Sequence, residues 1–181
     1  FFVGAVPPFV SAVALQLIFA VQLGWLPVGG VYPPGHQGFD LVLMIKHLIL
    51  PVTVVVIQTV AQYSRYMRAS LLDVKSSDFV RTARSKGLSE RDVLFRHGVR
   101  NAMIPIVTVL ALDIGALIGG LIITEAIFNY PGMGKYFILA STNGDFPQMM
   151  PYLVIIITSV LLFNLFADVT YAFLDPRIRL D

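Results

Sequence analysis

Cysteine is absent from this 181-residue chain, and charge is scarce: Asp, Glu, Lys and Arg together make up 13% of the residues. The first absence excludes disulfides, thiolate metal sites and a cysteine nucleophile. The second is decisive for the class of protein. A soluble domain carries about 25% charged residues, and half that supply cannot clothe a water-facing surface. With 56% hydrophobic residues, the composition also excludes intrinsic disorder. A formal charge of +2 is too small to point to nucleic acid. His36, His47 and His97 lie far apart, without metal-ligand spacing. No Asp, Glu, Lys or Arg precedes Asp40.

The apolar residues are gathered into four runs. They cover residues 1–24, about 48–66, 104–128 and 151–174. Each is long enough for the roughly 20 helical residues that a 30 Å hydrocarbon layer requires. None alternates as a membrane strand would. The predicted fold is therefore all-α, a polytopic membrane helix bundle with four transmembrane helices and a single domain over 1–181. The first run is already in progress at Phe1, and no basic leader precedes it. A preceding segment is therefore expected, with this stretch as the C-terminal part of a longer protein.

Nine of the thirteen Lys and Arg lie between Arg65 and Arg100, and Arg177 and Arg179 follow the last run. Only Lys46 and Lys135 fall on the other side. Basic residues stay in the cytoplasm. The loop 67–100 and the C-terminus are thus predicted to be cytoplasmic, with 25–40 and 129–150 outside. Trp25, Tyr32, Tyr130 and Tyr136 suit the outer interface.

The basic loop is ordered rather than merely charged. Residues 78–86 predict a short helix, with Ser76, Ser77 and Asp78 as capping candidates and Phe79, Val80 and Ala83 on one face. Gly87 is a natural stop. Ser89-Glu90-Arg91-Asp92 resembles a capping box opening a second helix that carries Val93, Leu94, Phe95, Arg96, His97 and Arg100 toward the membrane. Pro105 falls in the first turn of the next run, where proline is tolerated. An orientation signal or a surface for anionic lipid would need the charge alone. Two capped helices around one glycine suit a docking element.

Charges at membrane depth cost roughly 2.5–3.5 kcal/mol each on insertion scales. Asp113 and Glu125 are the candidate groups of a translocation path, and in an alternative reading they would serve a proton-coupled secondary transporter. Structurally, Asp113 would bond a neighbouring helix, while Glu125 and Asp168 would anchor helix ends. Gly115 to Gly119 forms a GxxxG spacing that allows close helix approach. Gly132-Met133-Gly134-Lys135 lacks the first glycine and the Ser/Thr of a phosphate loop, so it is read as a turn. No enzymatic activity and no cofactor are expected of the chain itself.

The stretch DFVRTARSKGLSERDVLFRHGVRNAMIP resembles the cytoplasmic loop of ABC importer permeases, above all the dipeptide/oligopeptide/nickel branch. FAVQLGWLPVGG (19–30), EAIFNYPGMGKY (125–136), NGDFPQM (143–149) and FADVTYAFLDPRIR (166–179) are similar to further patterns of that branch. Where the general family loop has Glu-Ala-Ala, this chain has Arg81, Thr82 and Ala83, and Pro105 stands further from Gly87. The resemblance implies a six-helix permease in a bacterial or archaeal cytoplasmic membrane, importing peptides or else nickel, haem or a glycan. It implies a homologous second permease, two ABC ATPase subunits or domains, an extracytoplasmic substrate-binding protein and membrane lipid as partners. It further implies that the loop is a coupling helix seated on an ATPase, with Asp78, Phe79, Arg81, Thr82, Ala83, Arg84, Gly87, Leu88 and Ser89 in the contact region.

Overall fold

The computed structural model describes residues 6–174, except for the side chains of 96, 97, 100, 104 and 171–174. The expectations placed on Arg96, His97, Arg100, Arg177 and Arg179 therefore lie outside the described residues. Among the described residues every regular element is a helix. In chain order these are α1 (Pro8–Gln22), α2 (Leu41–Lys75), α3 (Asp78–Ser85), α4 (90–102), α5 (Ile104–Ile118), α6 (Ile122–Ile127), α7 (Met133–Thr142) and α8 (Phe146–Leu174).

Three segments are long and apolar enough to cross a membrane: α2, the stretch Pro105–Ile127 that holds α5 and α6, and α8. The first run behaves differently from the other three. Its described helix is 15 residues long and turns into wide, π-type turns over Gln16–Gln22. At 1.5 Å per residue it extends about 22 Å, short of a 30 Å layer.

Helix α2 is longer than the apolar run that suggested it. It starts at Leu41 because Asp40 caps it, with Oδ1 accepting from the Leu43 amide at 3.0 Å. It continues past the apolar part through Arg65, Arg68 and Asp73 to Lys75. The third run, in contrast, is broken. Gly120 takes φ +98°, a conformation that only glycine adopts freely, and the helix restarts at Ile122.

The chain forms two compact units, and α2, α5 and α8 contribute residues to both. One contains the described part of Phe1–Ala61 together with Leu117–Ile157. Its core gathers Ala12, Leu50, Val54 and Phe128, with Phe19, Leu26 and Ile127 packed against them. Two backbone ties hold the segment after α1 in place. The Gly30 amide donates to the Phe128 carbonyl at 2.8 Å, and the ring of buried His47 bonds the Gly29 carbonyl through Nδ1 at 3.0 Å.

The other unit contains Gln62–Ala116 and, from the described residues, α8 from Thr158 onward. At Gly115 two helices approach closely. A Cβ at that position would lie 3.0 Å from Val160 Cα and 3.3 Å from Phe163 Cβ, so α5 and α8 cross with almost no gap. Half of the GxxxG expectation is thus used within this chain. Gly120 has a separate purpose in the turn described below.

Candidate functional site

The loop folds into a small helical hairpin. Helix α3 opens after Ser77, whose hydroxyl donates back to the Val74 carbonyl instead of capping the helix. It closes at Lys86, and Gly87 follows with φ +77°. Ser89 then caps α4: its Oγ accepts from the Asp92 amide at 3.2 Å and donates to Asp92 Oδ2 at 2.6 Å. Helix α4 runs as ordinary turns over Glu90–Asp92, widens over Val93–Val99, and returns to ordinary turns at Arg100–Ala102. Such wide turns recur at functional sites.

The hairpin is fixed on its inner side by three buried residues, Val80, Ala83 and Val93, packed against Val74 at the end of α2. The Ser70 hydroxyl adds a bond to the Ala102 carbonyl at 2.8 Å. Phe79 is the correction here. It was expected to share the face of Val80 and Ala83, yet it is 43% exposed while they are 2% and 6% exposed. Consecutive helical residues point about 100° apart, so the stripe centred on Val80 and Ala83 leaves Phe79 turned outward.

Of the nine residues assigned to the contact region, Ala83 alone is buried. Asp78, Phe79, Arg81, Thr82, Arg84, Gly87, Leu88 and Ser89 form an exposed surface of mixed character, with Phe79 and Leu88 as its apolar points. Arg84 grips Glu90 with two nitrogens, at 2.7 and 3.2 Å, linking the two helices across Gly87. That pair holds the Glu90 carboxyl below its usual range. Both groups face water, so the bridge is a weak brace that salt loosens.

The two candidate membrane groups differ. Asp113 on α5 accepts a hydrogen bond from the Tyr63 hydroxyl on α2 at 2.8 Å. Glu125 on α6 fastens a turn by its two oxygens. Oε1 accepts from the Leu121 amide at 2.9 Å, and Oε2 accepts from the Lys135 amide at 2.8 Å. The approach is possible because Gly120, Gly132 and Gly134 lack side chains. A Cβ on Gly134 would lie 2.8 Å from Ile122 Cα, and one on Gly132 would collide with the Glu125 carboxylate. The Lys135 ammonium is directed to the Asn129 side chain. This clasp was invisible to spacing arguments, since its partners are main-chain amides, four residues before Glu125 and ten residues after it.

Asp113 gives a direct prediction. Asp113→Asn keeps an oxygen for the Tyr63 hydroxyl and removes the burden of a charge at membrane depth. Under the permease resemblance described above, the variant is expected to retain most of the transport of the parent when both are assembled to the same level. Uptake assays on matched membranes check this, and loss of transport with normal assembly would make the charge itself functional.

The sequence of this chain matches a family model over residues 1–180. It is described as the binding-protein-dependent transport system inner membrane component. The chain belongs to this family. Three relatives illustrate the match. The chain is 43% identical over 179 residues to the oligopeptide transport system permease protein AppB of Bacillus subtilis, covering 98% of this chain and 56% of that protein. It is 38% identical over 192 residues to the dipeptide transport system permease protein DppB of Alkalihalophilus pseudofirmus, covering 97% and 58%. It is 39% identical over 173 residues to the glutathione transport system permease protein GsiC of Escherichia coli K12, covering 96% and 53%. The chain thus spans little more than half the length of these curated relatives. The resemblance that rested on five short motifs holds for nearly the whole chain.

Proposed function

We propose that this chain is the membrane-spanning part of an ATP-driven importer, with peptides as its substrates and the 78–89 hairpin as the element that receives force from an ATPase. One observation carries the reading: the hairpin is pinned from beneath by Val80, Ala83 and Val93 while eight of its nine contact candidates stay exposed. An element fixed to its own helices on one side and open on the other can transmit displacement. In this reading 67–100 and the C-terminus face the cytoplasm, following the eleven-to-two division of Lys and Arg. In the same reading α1 belongs to a fourth crossing. A homologous second permease, two ATPase subunits or domains and an outer binding protein complete the assembly. ATP is hydrolysed by the partners, and this chain forms part of the path. The peptide assignment draws on the printed names of the three relatives.

A proton-coupled carrier using Asp113 and Glu125 would need these carboxylates free to exchange protons. The Tyr63 bond and the double main-chain clasp give both a structural task instead. The test is energetic. Cells expressing the complete assembly are depleted of ATP while the proton gradient is maintained. Uptake of a peptide substrate should stop; uptake that continues under the gradient alone would favour the carrier.

A further inference from the structure

A groove of about 330 Å³ is lined by the end of α2, by α3 and by α4, all within one compact unit. Leu71, Val74 and Leu94 give it an apolar wall. Its charged residues are unevenly divided: Lys75, Arg84 and Arg91 stand against the single acid Glu90. Glu90 is gripped by Arg84. Lys75 and Arg91 are exposed, and they leave the groove with an excess of positive charge. The volume lies at the lower end of the roughly 300–1,000 Å³ usual for small-molecule pockets. An apolar wall beside surplus cations suits a small anion with an apolar side. The position along α2 bears on where that anion comes from. Lys75 stands ten residues of continuous helix past Arg65, the charge at the end of the apolar run. That is about 15 Å, about twice the polar layer on one side of a bilayer. A lipid held at the membrane surface falls short of the groove, whereas a dissolved molecule reaches it.

We propose that this groove binds the carboxyl-terminal residue of an apolar peptide on the cytoplasmic side. The carboxylate would meet Lys75 and Arg91, and the side chain would rest against Leu71, Val74 and Leu94. An amino terminus would be repelled by the same cations, so the carboxyl end is the one selected. The source of the peptide rests on the importer reading, which delivers peptides to that side. The groove is then a site for delivered product and not for substrate in transit.

The experiment uses the complete permease–ATPase assembly in nanodiscs of neutral lipid. The probe is an N-acetylated photoreactive leucine, prepared as the free acid and as the amide. Illumination followed by peptide mapping locates the label. At low salt the free acid should label residues 71–98 about fivefold more than the amide, the weight of an exposed ion pair. High salt should narrow that difference. The double variant Lys75→Gln, Arg91→Gln changes only exposed side chains and should label equally with both probes. Unlabelled N-acetyl-leucine should displace the label from the parent. Equal labelling of the parent by both probes, label elsewhere, or no label would overturn the proposal. So would displacement by octanoate but not by N-acetyl-leucine, which would assign the groove to a fatty acyl anion. ATP-driven peptide uptake by the same parent assembly, reconstituted with its binding protein, is measured in parallel. Failure of that uptake would count against the importer reading, whereas uptake with equal labelling counts against the groove alone.

Discussion

Replacing Gly87 with Val should uncouple the assembly, and replacing it with Asn should not. Gly87 holds φ +77°, and a Cβ built there would meet nothing within 4 Å. Space is therefore not the constraint; backbone conformation is. A left-handed residue with a Cβ costs about 1–2 kcal/mol, and β-branching adds to this, whereas Asn visits the region with little penalty. The hairpin would not unfold, because Val80, Ala83 and Val93 remain buried and the Ser89 cap is untouched. The angle between α3 and α4 would shift instead, displacing Phe79 and Leu88 from the surface they share. One or two kcal/mol corresponds to a factor of about 5–30 in the population of the correct geometry. ATP hydrolysis stimulated by loaded binding protein should fall by about that factor in Gly87→Val and stay near the parent value in Gly87→Asn. Equal stimulation in all three would make Gly87 an ordinary loop glycine.

The second large effect is expected at Glu125. Glu125→Ala removes both acceptors and leaves the Leu121 and Lys135 amides without partners. Both amides are half-buried, so each loses less than the roughly 1–3 kcal/mol that a fully buried unsatisfied donor costs. The combined loss should reach about 1–3 kcal/mol and should be local. The turn from Asn129 to Gly132 and the start of α7 should loosen, while the α3–α4 hairpin stays ordered. Glu125→Gln should be intermediate, because its amide offers one acceptor oxygen and sets a second donor against an N–H. Gly132→Ala should reproduce the damage from the opposite side, since its Cβ would occupy the position of the carboxylate. Hydrogen exchange across 121–142 is the measurement. Protection retained in Glu125→Ala would show that the clasp contributes little.

The two predictions differ in how far the sequence announced them. The α3 helix, its end at Gly87 and the Ser89 cap were legible because each depends on residues within a few positions. Helix α2 was harder to bound. Its capping signal, Asp40, stands at the edge of a Gly- and Pro-rich stretch, and its charged end reads as loop although it continues the same helix to Lys75. The outward turn of Phe79 could not be read from the periodicity of α3, since what decides the buried stripe is packing against Val74 and Val93. The Glu125 clasp and the His47 bond to Gly29 were hidden for a related reason. Their partners are backbone groups brought close by tertiary structure, and neither amides nor carbonyls leave a trace in residue type. What the sequence offered instead was the glycine pattern at 120, 132 and 134, which marks where the backbone passes close.

In the proposed assembly the exposed face of α3 meets an ATPase subunit. That contact is tested by a photo-crosslinking residue placed singly at Phe79, which is exposed on that face, and at Thr142, which is exposed at the end of α7. In the assembled complex, illumination should join the Phe79 variant to the ATPase subunit, in a yield that changes when ATP is bound, and should leave the Thr142 variant unlinked to it. No link from Phe79, or an equal link from Thr142, would contradict the assignment.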